Sequence, residues 1–394
     1  MTVFDALIGQ DEVVTELRRA ADAARVDGSA GSAMTHAWLF TGPAGSGRSV
    51  AAFALAAALE CDDPDPVPGC GRCRSCRAVL AGTHPDVRSL IPEGLSIGVG
   101  EMRAVVAASA RRPSLGRWQV VVITDADRLT EGASNALLKA LEEPSVRSVF
   151  LLCVPSTHPD DVLVTIRSRC RLVSLRIPPA HAVAAVLQAE GIEAELADWA
   201  AQAAQGHVGR ARRLARDGDA RQRREAVLAI PARLTSLNAC FEAADHLVRA
   251  AEAEAKSLRS SLDVAELDEL KVALGAGGTG KGAASAARGS AAAVKDLEKR
   301  QKSRATRMQR DALDRALVDL ASFYRDVLLT KAGSAAPAAH PDFAADVLSV
   351  AARLDSAAAL GRLQQVLACR EAIELNVKPR IALEALTAAL LLPG

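Results

Sequence analysis

Aromatic residues are scarce in this chain of 394 residues: seven Phe, three Trp and one Tyr, 3% of the total. Its core must be built from aliphatic side chains, and abundant alanine favours helices that pack through small residues. Net charge is nearly absent too, +1 from 48 basic and 47 acidic residues. That excludes a global basic field, so any contact with DNA needs a local patch or a partner. Long apolar runs are missing. The longest, Val50–Leu59 and Ala385–Leu392, are too short to span a bilayer, and Met1–Gln10 has no apolar core of signal-peptide length. The expectation is a soluble cytoplasmic protein. What is present is 49% apolar residues and enough length for two or three domains.

One absence is local. Gly42-Pro43-Ala44-Gly45-Ser46-Gly47-Arg48-Ser49 fits the phosphate-loop pattern G-x-x-x-x-G-K-[ST] except that arginine replaces the lysine. Glycines let backbone N–H groups close around phosphate oxygens, and the hydroxyl of Ser49 matches the Mg²⁺ ligand. Arg48 is planar and forked where the pattern has a point charge. The apolar run His36–Phe40 before the loop reads as a buried strand, and the alanine-rich run Val50–Leu59 after it as a helix. Strand, loop and helix in that order aim a helix N-terminus at an anion; the plainer reading is a glycine-rich turn with no ligand. A second glycine-rich stretch, Gly275–Gly282, has a lysine, but no Ser/Thr and no preceding strand. It is rejected as a phosphate loop.

Four of the eight cysteines crowd together as Cys61, Cys70, Cys73 and Cys76. Two overlapping C-x2-C knuckles and a fourth thiolate supply a closed tetrahedral Zn²⁺ site, which leaves no open position and reads as structural. An iron–sulfur cluster is the competing metal reading, and free thiols the plain one. His84 is an alternative ligand, more naturally a loop histidine before Pro85. Cys153, Cys170, Cys240 and Cys369 lie in apolar settings and read as small core residues.

Strand patterns at Val87–Ile91, Gln119–Thr124 and Val149–Val154 alternate with helical ones, notably Ser134–Glu143, which Pro144 ends. This predicts a parallel α/β sheet followed by an all-helical region. The expected domains are 1–176 with the cysteine module at 61–76, a small helical domain at 177–220, and a helical domain at 221–394. The last contains a flexible Gly/Ala-rich insert at about 272–294. Lys295–Arg310 carries seven basic residues; a solvated helix face is favoured over a DNA-backbone patch. At the end of the Gln119–Thr124 strand, an active P-loop ATPase carries a metal-binding aspartate and then a glutamate. Here Thr124 and Asp125 fall at those positions, and a one-residue shift would leave Ala126 in place of a base.

With Ile8-Gly9-Gln10, Gly82–Asp86, Asn135–Pro144 and Ser168-Arg169-Cys170 added, the chain resembles the bacterial clamp-loader subunits of the AAA+ class. The resemblance covers residues 1 to about 215 and implies a RecA-like nucleotide-loop domain, a lid and a collar. It implies that Arg169 acts in trans on ATP and Mg²⁺ held by a neighbouring subunit. It also implies partnership with tau/gamma and delta subunits of the DNA polymerase III holoenzyme. The sliding clamp and primer-template DNA are then reached through the complex. Gly42, Gly45, Gly47, Arg48, Ser49, Thr124 and Asp125 form a degraded nucleotide site, with Gly209 standing near where hydrolysing members carry a lid arginine. An ATPase activity of its own is therefore not expected; the alternative is an active tau/gamma-type motor. A zinc-stabilised scaffold outside replication is a third reading.

Overall fold

The computed structural model describes residues 2–26, 33–63, 67–273 and 283–391. The chain divides into two compact units, Met1–Ala215 and Arg216–Gly394. In the first, the order is α1 (Asp11–Val26), β1 (Ala37–Thr41), α2 (Arg48–Leu59), α3 (Arg74–Leu80), β2 (Val87–Leu90), α4 (Val99–Ser109) and β3 (Gln119–Ile123). Then come α5 (Glu131–Glu142), β4 (Ser148–Val154), α6 (Val164–Arg167), β5 (Arg171–Ser174), α7 (Ala180–Ala189), α8 (Ala194–Ala203) and α9 (Val208–Arg216).

All five strands are parallel, in the order β2-β3-β4-β1-β5. Their central members are apolar throughout because both faces are covered. Trp38, Phe40, Val120, Val122, Val149 and Leu151 join the core on the α1–α2 side; Leu39, Val121, Ile123, Phe150 and Leu152 join the one on the α4–α5 side. Period-two alternation thus splits each strand between two cores. The loops that follow β1, β3 and β4 gather at the C-terminal edge of the sheet, where open α/β sheets bind ligands.

The second unit is helical: α10 (Gly218–Leu228), α11 (Ile230–Arg233), α12 (Leu237–Ala273), α13 (Ala283–Lys331), α14 (Ala344–Arg353), α15 (Ser356–Glu374) and α16 (Pro379–Ala389). Its core runs from Leu228 through Leu320, Phe323 and Tyr324 to Val366 and Leu383. A buried polar cluster braces the turn between α13 and α14. Arg224 makes a two-pronged pair with Asp342 (2.5 and 3.1 Å) and touches His340 Nδ1 at 2.9 Å, while Asp326 accepts from the backbone N–H groups of Ala339 and His340.

Two expectations change. Residues 283–294 belong to α13 rather than to a flexible insert: a run of alanines has the highest helix propensity, and the single Gly289 is tolerated within it. The rejected stretch Gly275–Gly282 lies outside the described residues. The strand β5, absent from the sequence reading, is short and half exposed, so its apolar signal is weak. No helix among the described residues is long and apolar enough to cross a membrane.

Candidate functional site

The phosphate-loop sequence sits on the turn from β1 into α2. Gly47 caps α2 in the left-handed region (φ +92°) without a side-chain cap, and no acid occupies the first turn. Positive φ and close approach explain two of the glycines. A Cβ on Gly42 would lie 2.5 Å from the Leu175 carbonyl oxygen, and one on Gly45 would lie 2.7 Å from Cβ of His207. His207 precedes α9, so that segment lies directly on the loop. The backbone N–H of Gly42 donates to the Pro155 carbonyl beyond β4 (3.2 Å). Gln10 ties the loop down from the other side: its Nε2 donates to the carbonyls of Ser46 (3.3 Å) and Arg176 (2.6 Å), and its Oε1 accepts from Arg176 N–H (3.3 Å).

Arg48 opens α2 beyond β1 and Thr124 follows directly on β3, with Asp125 at the start of the short 3-10 turn after it. Ser46 Oγ, Arg48 Nη1 and Thr124 Oγ1 are all buried with no hydrogen-bond partner. Burial raises the Asp127 carboxyl above its ordinary range, with the Asp125 charge adding and the Arg48 guanidinium opposing. Burial pushes the Cys153 thiol, on β4, up to about 12, and it feels Arg48, Asp125 and Asp127 as well. Asp127, two residues beyond Asp125, thus feels the same charges. Ser49 follows Arg48 in the first turn of α2. Gly209 lies in the first turn of α9 near His207, whose Nδ1 accepts from the Arg210 backbone N–H (3.2 Å).

Arg169 stands just past α6, 37% exposed. Its guanidinium pairs with Glu142 at the end of α5 (2.7 Å) and donates to the Thr165 carbonyl (2.9 Å) and to Ser168 Oγ (3.3 Å). The two segments richest in motif residues, Asn135–Pro144 and Ser168–Cys170, therefore meet in one ion pair.

The four cysteines converge, their sulfurs all within 4.8 Å of one another. Tetrahedral thiolates about 2.3 Å from a zinc ion stand roughly 3.8 Å apart, and Cys61 and Cys73 are 4.0 Å apart here. Backbone N–H groups of Cys73 and Cys76 donate to the sulfurs of Cys70 and Cys73, 3.3 Å each. Burial raises the Cys61 thiol, but the backbone donors of Cys70, Asp63 and Gly69 outweigh it and bring it down to about 7. Burial drives Cys76 far up, with Cys73 and Cys61 adding to it. Thiols this close cannot all ionise without a cation among them, so the cluster fits a metal ion. His84 is not part of it; it is buried on β2's approach and accepts from Asp86 N–H through Nδ1 (3.3 Å).

Asp86 has a role that its place in Gly82–Asp86 did not reveal. Fully buried, it accepts from Ser114 N–H and Oγ, Leu115 N–H, Gly116 N–H (2.7 Å each) and Gln119 Nε2 (2.9 Å). Burial opposes its charge, yet these donors hold its carboxyl down to about 2. Beside it Glu60 accepts from the N–H groups of Arg117 and Trp118, and burial raises it to about 7. Together they clamp the loop that leads into β3. In the second unit, three of the seven basic residues of that run are bonded within the unit: Arg304 with Asp263 and Glu266, Arg307 with Asp311, and Arg310 with Asn376. Lys295, Lys299 and Lys302 are exposed.

Comparison with known proteins agrees with this arrangement. Residues 11–179 match the family model described as DNA polymerase III, delta subunit. The DNA polymerase III subunit delta' of Escherichia coli (strain K12) is 42% identical over 146 residues, which is 36% of this chain and 43% of the relative. That of Bacillus subtilis (strain 168) is 35% identical over 138 residues, 35% of this chain and 41% of the relative. The gamma/tau subunit of Mycobacterium tuberculosis (strain H37Rv) is 31% identical over 185 residues, 47% of this chain and 30% of the relative. The match thus spans about two fifths of the length of the delta' relatives. A gamma subunit-related protein of Thermotoga maritima aligns over 90% of this chain and 93% of its own at 17% identity, with a TM-score of 0.41. Over residues 11–179 this chain is similar to the DNA polymerase III delta-subunit family and, within that stretch, to delta' subunits.

Proposed function

We propose that the chain works as a delta-prime-type subunit of the replicative clamp loader. It keeps the shape of an AAA+ module, does not hydrolyse ATP itself, and acts on a neighbour's ATP through Arg169. The observation that supports this most is the contrast between two arginines. Arg48 stands in place of the lysine and lies inward among Asp125, Asp127 and Cys153. Arg169 is partly exposed and held by a single carboxylate, Glu142. A half-exposed ion pair is worth roughly 0–1 kcal/mol, so a triphosphate in a neighbouring subunit readily draws the guanidinium away. In trans, a guanidinium stabilises the charge that develops on the transferred phosphoryl group, an effect of ~10³–10⁵ in rate. The partners on this reading are tau/gamma and delta subunits, with the sliding clamp and primer-template DNA engaged through the assembly.

The four cysteines are read as a structural zinc site, since four soft ligands at near-tetrahedral spacing leave no place for substrate. Metal analysis should give about one zinc per chain; iron would replace that reading by a cluster. The functional test is Arg169→Ala in the reconstituted loader. Assembly should persist, while ATP turnover at the adjoining site falls by ~10³ or more. Unchanged turnover would remove Arg169 from the mechanism. Turnover by the isolated chain that disappears in Ser49→Ala would instead favour a tau/gamma-type motor.

A further inference from the structure

The hairpin of α12 and α13 outruns the core from which it springs. That core takes residues of α12 no later than Ala251 and of α13 none before Ala312. What lies beyond is a two-helix arm, about 30 Å long at 1.5 Å per residue. Its seam is closed by Arg304, which pairs with Asp263 and Glu266, by Gln301 Nε2, which donates to the Asp263 carbonyl (2.9 Å), and by buried Leu297. The outer face of α13 differs. Lys295, Lys299, Lys302 and Thr306 follow one another at steps of four, three and four residues, which puts them on one side of the helix, and all four are exposed. None of the three lysines has an ion pair among the described residues, whereas Arg304, Arg307 and Arg310 of the same stretch are engaged within the unit. The residue type is itself informative. Nine of the chain's 48 basic residues are lysines, and six of those nine fall between positions 256 and 302. An arginine fork closes on a carboxylate with two prongs, while a lysine is a strongly hydrated point charge. Lysine on the outer face keeps its charge available to something outside the chain.

We propose that the outer face of α13, through Lys295, Lys299 and Lys302, docks along the phosphate backbone of duplex DNA without reading its sequence. The three ammonium groups are spread along about 10 Å of helix axis, a length over which a duplex presents roughly six phosphate charges. Other anionic partners fit less well. A helix lying in a lipid interface needs an apolar face beside its charges, and this row continues into Thr306. A protein partner is anchored by aromatic or other buried side chains, and a single strand by bases stacked on aromatic rings; the row has neither. Charge alone remains, and charge is what non-specific duplex binding uses. Asp296 and Glu298 interrupt the run, but seven basic residues against two acids between 295 and 310 leave it positive. The proposal depends on neither Arg169 nor the phosphate loop.

Fluorescence anisotropy of the full chain on a labelled duplex of arbitrary sequence, over a salt series, tests this. Each phosphate contact adds ~0.9 to the slope of log affinity against log salt. Lys295→Gln, Lys299→Gln and Lys302→Gln together should therefore lower the slope by roughly 2–3 and weaken binding at low salt by about tenfold or more. Lys295→Arg, Lys299→Arg and Lys302→Arg together keep the charge and should keep the slope, which separates lost charge from a lost fold. Removing as much charge elsewhere, with Lys139→Gln, Lys331→Gln and Lys378→Gln, should leave the slope unchanged. The proposal is overturned by an unaltered chain that shows no salt-dependent binding, or by a slope that survives the glutamine triple on the arm. A slope lost in the arginine triple, an equal drop in the distant triple, or tighter binding to a single strand of the same length would overturn it as well. Turnover of the assembled loader with Arg169→Ala is a separate readout, so the two readings can fail independently.

Discussion

The loop into β3 and the loop out of β1 treat their polar groups in opposite ways. At the first, Asp86 and Glu60 answer the N–H groups of Ser114, Leu115, Gly116, Arg117 and Trp118. At the second, Ser46, Arg48 and Thr124 each bury an atom that nothing answers. The two lie in the same unit and on the same sheet, so packing quality does not explain the contrast. A satisfied buried network holds architecture, whereas an unsatisfied one is the mark of a place where something else belongs. Damage to the first should therefore appear as lost stability, and damage to the second should cost little.

The largest effect is expected in the cysteine module, proposed above as a structural zinc site. Cys76→Ser should release the ion and lower the melting temperature by about 10 °C, from a loss of ~3–5 kcal/mol; calorimetry beside metal analysis reads both. Next comes Asp86→Ala, which strips the acceptor from five donors and should cost about 3 kcal/mol in a denaturant melt. Its folded carboxyl sits near 2, below the ordinary 3.8, so its contribution is fully present above pH 4 and is lost as pH falls through 2.

Glu60 runs the other way. Its folded carboxyl is raised from 4.5 to about 7, so the folded state binds the extra proton and stability declines as pH rises between those values. Glu60→Gln should flatten that slope in melts taken from pH 4.5 to 7; a slope that survives would place its origin elsewhere. At the loop out of β1, Arg48→Ala should change stability by less than about 1 kcal/mol, since it removes an unpaired buried nitrogen along with its packing. The smallest effect belongs to Glu142→Gln. The half-exposed pair with Arg169 is worth no more than about 1 kcal/mol, and a larger loss would mean that the pair is structural and not a holding position.

Features coded within a few residues were legible in the sequence. The phosphate loop, the cysteine spacing and the three apolar strands each carry their signal locally, and the structure places all of them as elements or clusters. What escaped is long-range. Asp86 reaches residues about thirty positions away, and His207 meets Gly45 from the far end of the same unit. The Glu142–Arg169 pair joins two motifs that the sequence reading singled out separately. β5 was missed because an edge strand with alternating exposure has little apolar content to detect. The helical start of α13 was missed for the reverse reason: low complexity was taken for mobility, where alanine favours helix.

Gln10 carries a mechanical consequence. One buried amide bonds at once to the carbonyl of Ser46 in the loop and to both the carbonyl and the N–H of Arg176, on the connection from β5 to α7. Swinging that connection away from the sheet would have to break the two bonds to Arg176 or pull the third, to Ser46, and the loop along with it. The amide works as a latch: while it is fastened, the strand-to-helix joint is a fixed strut.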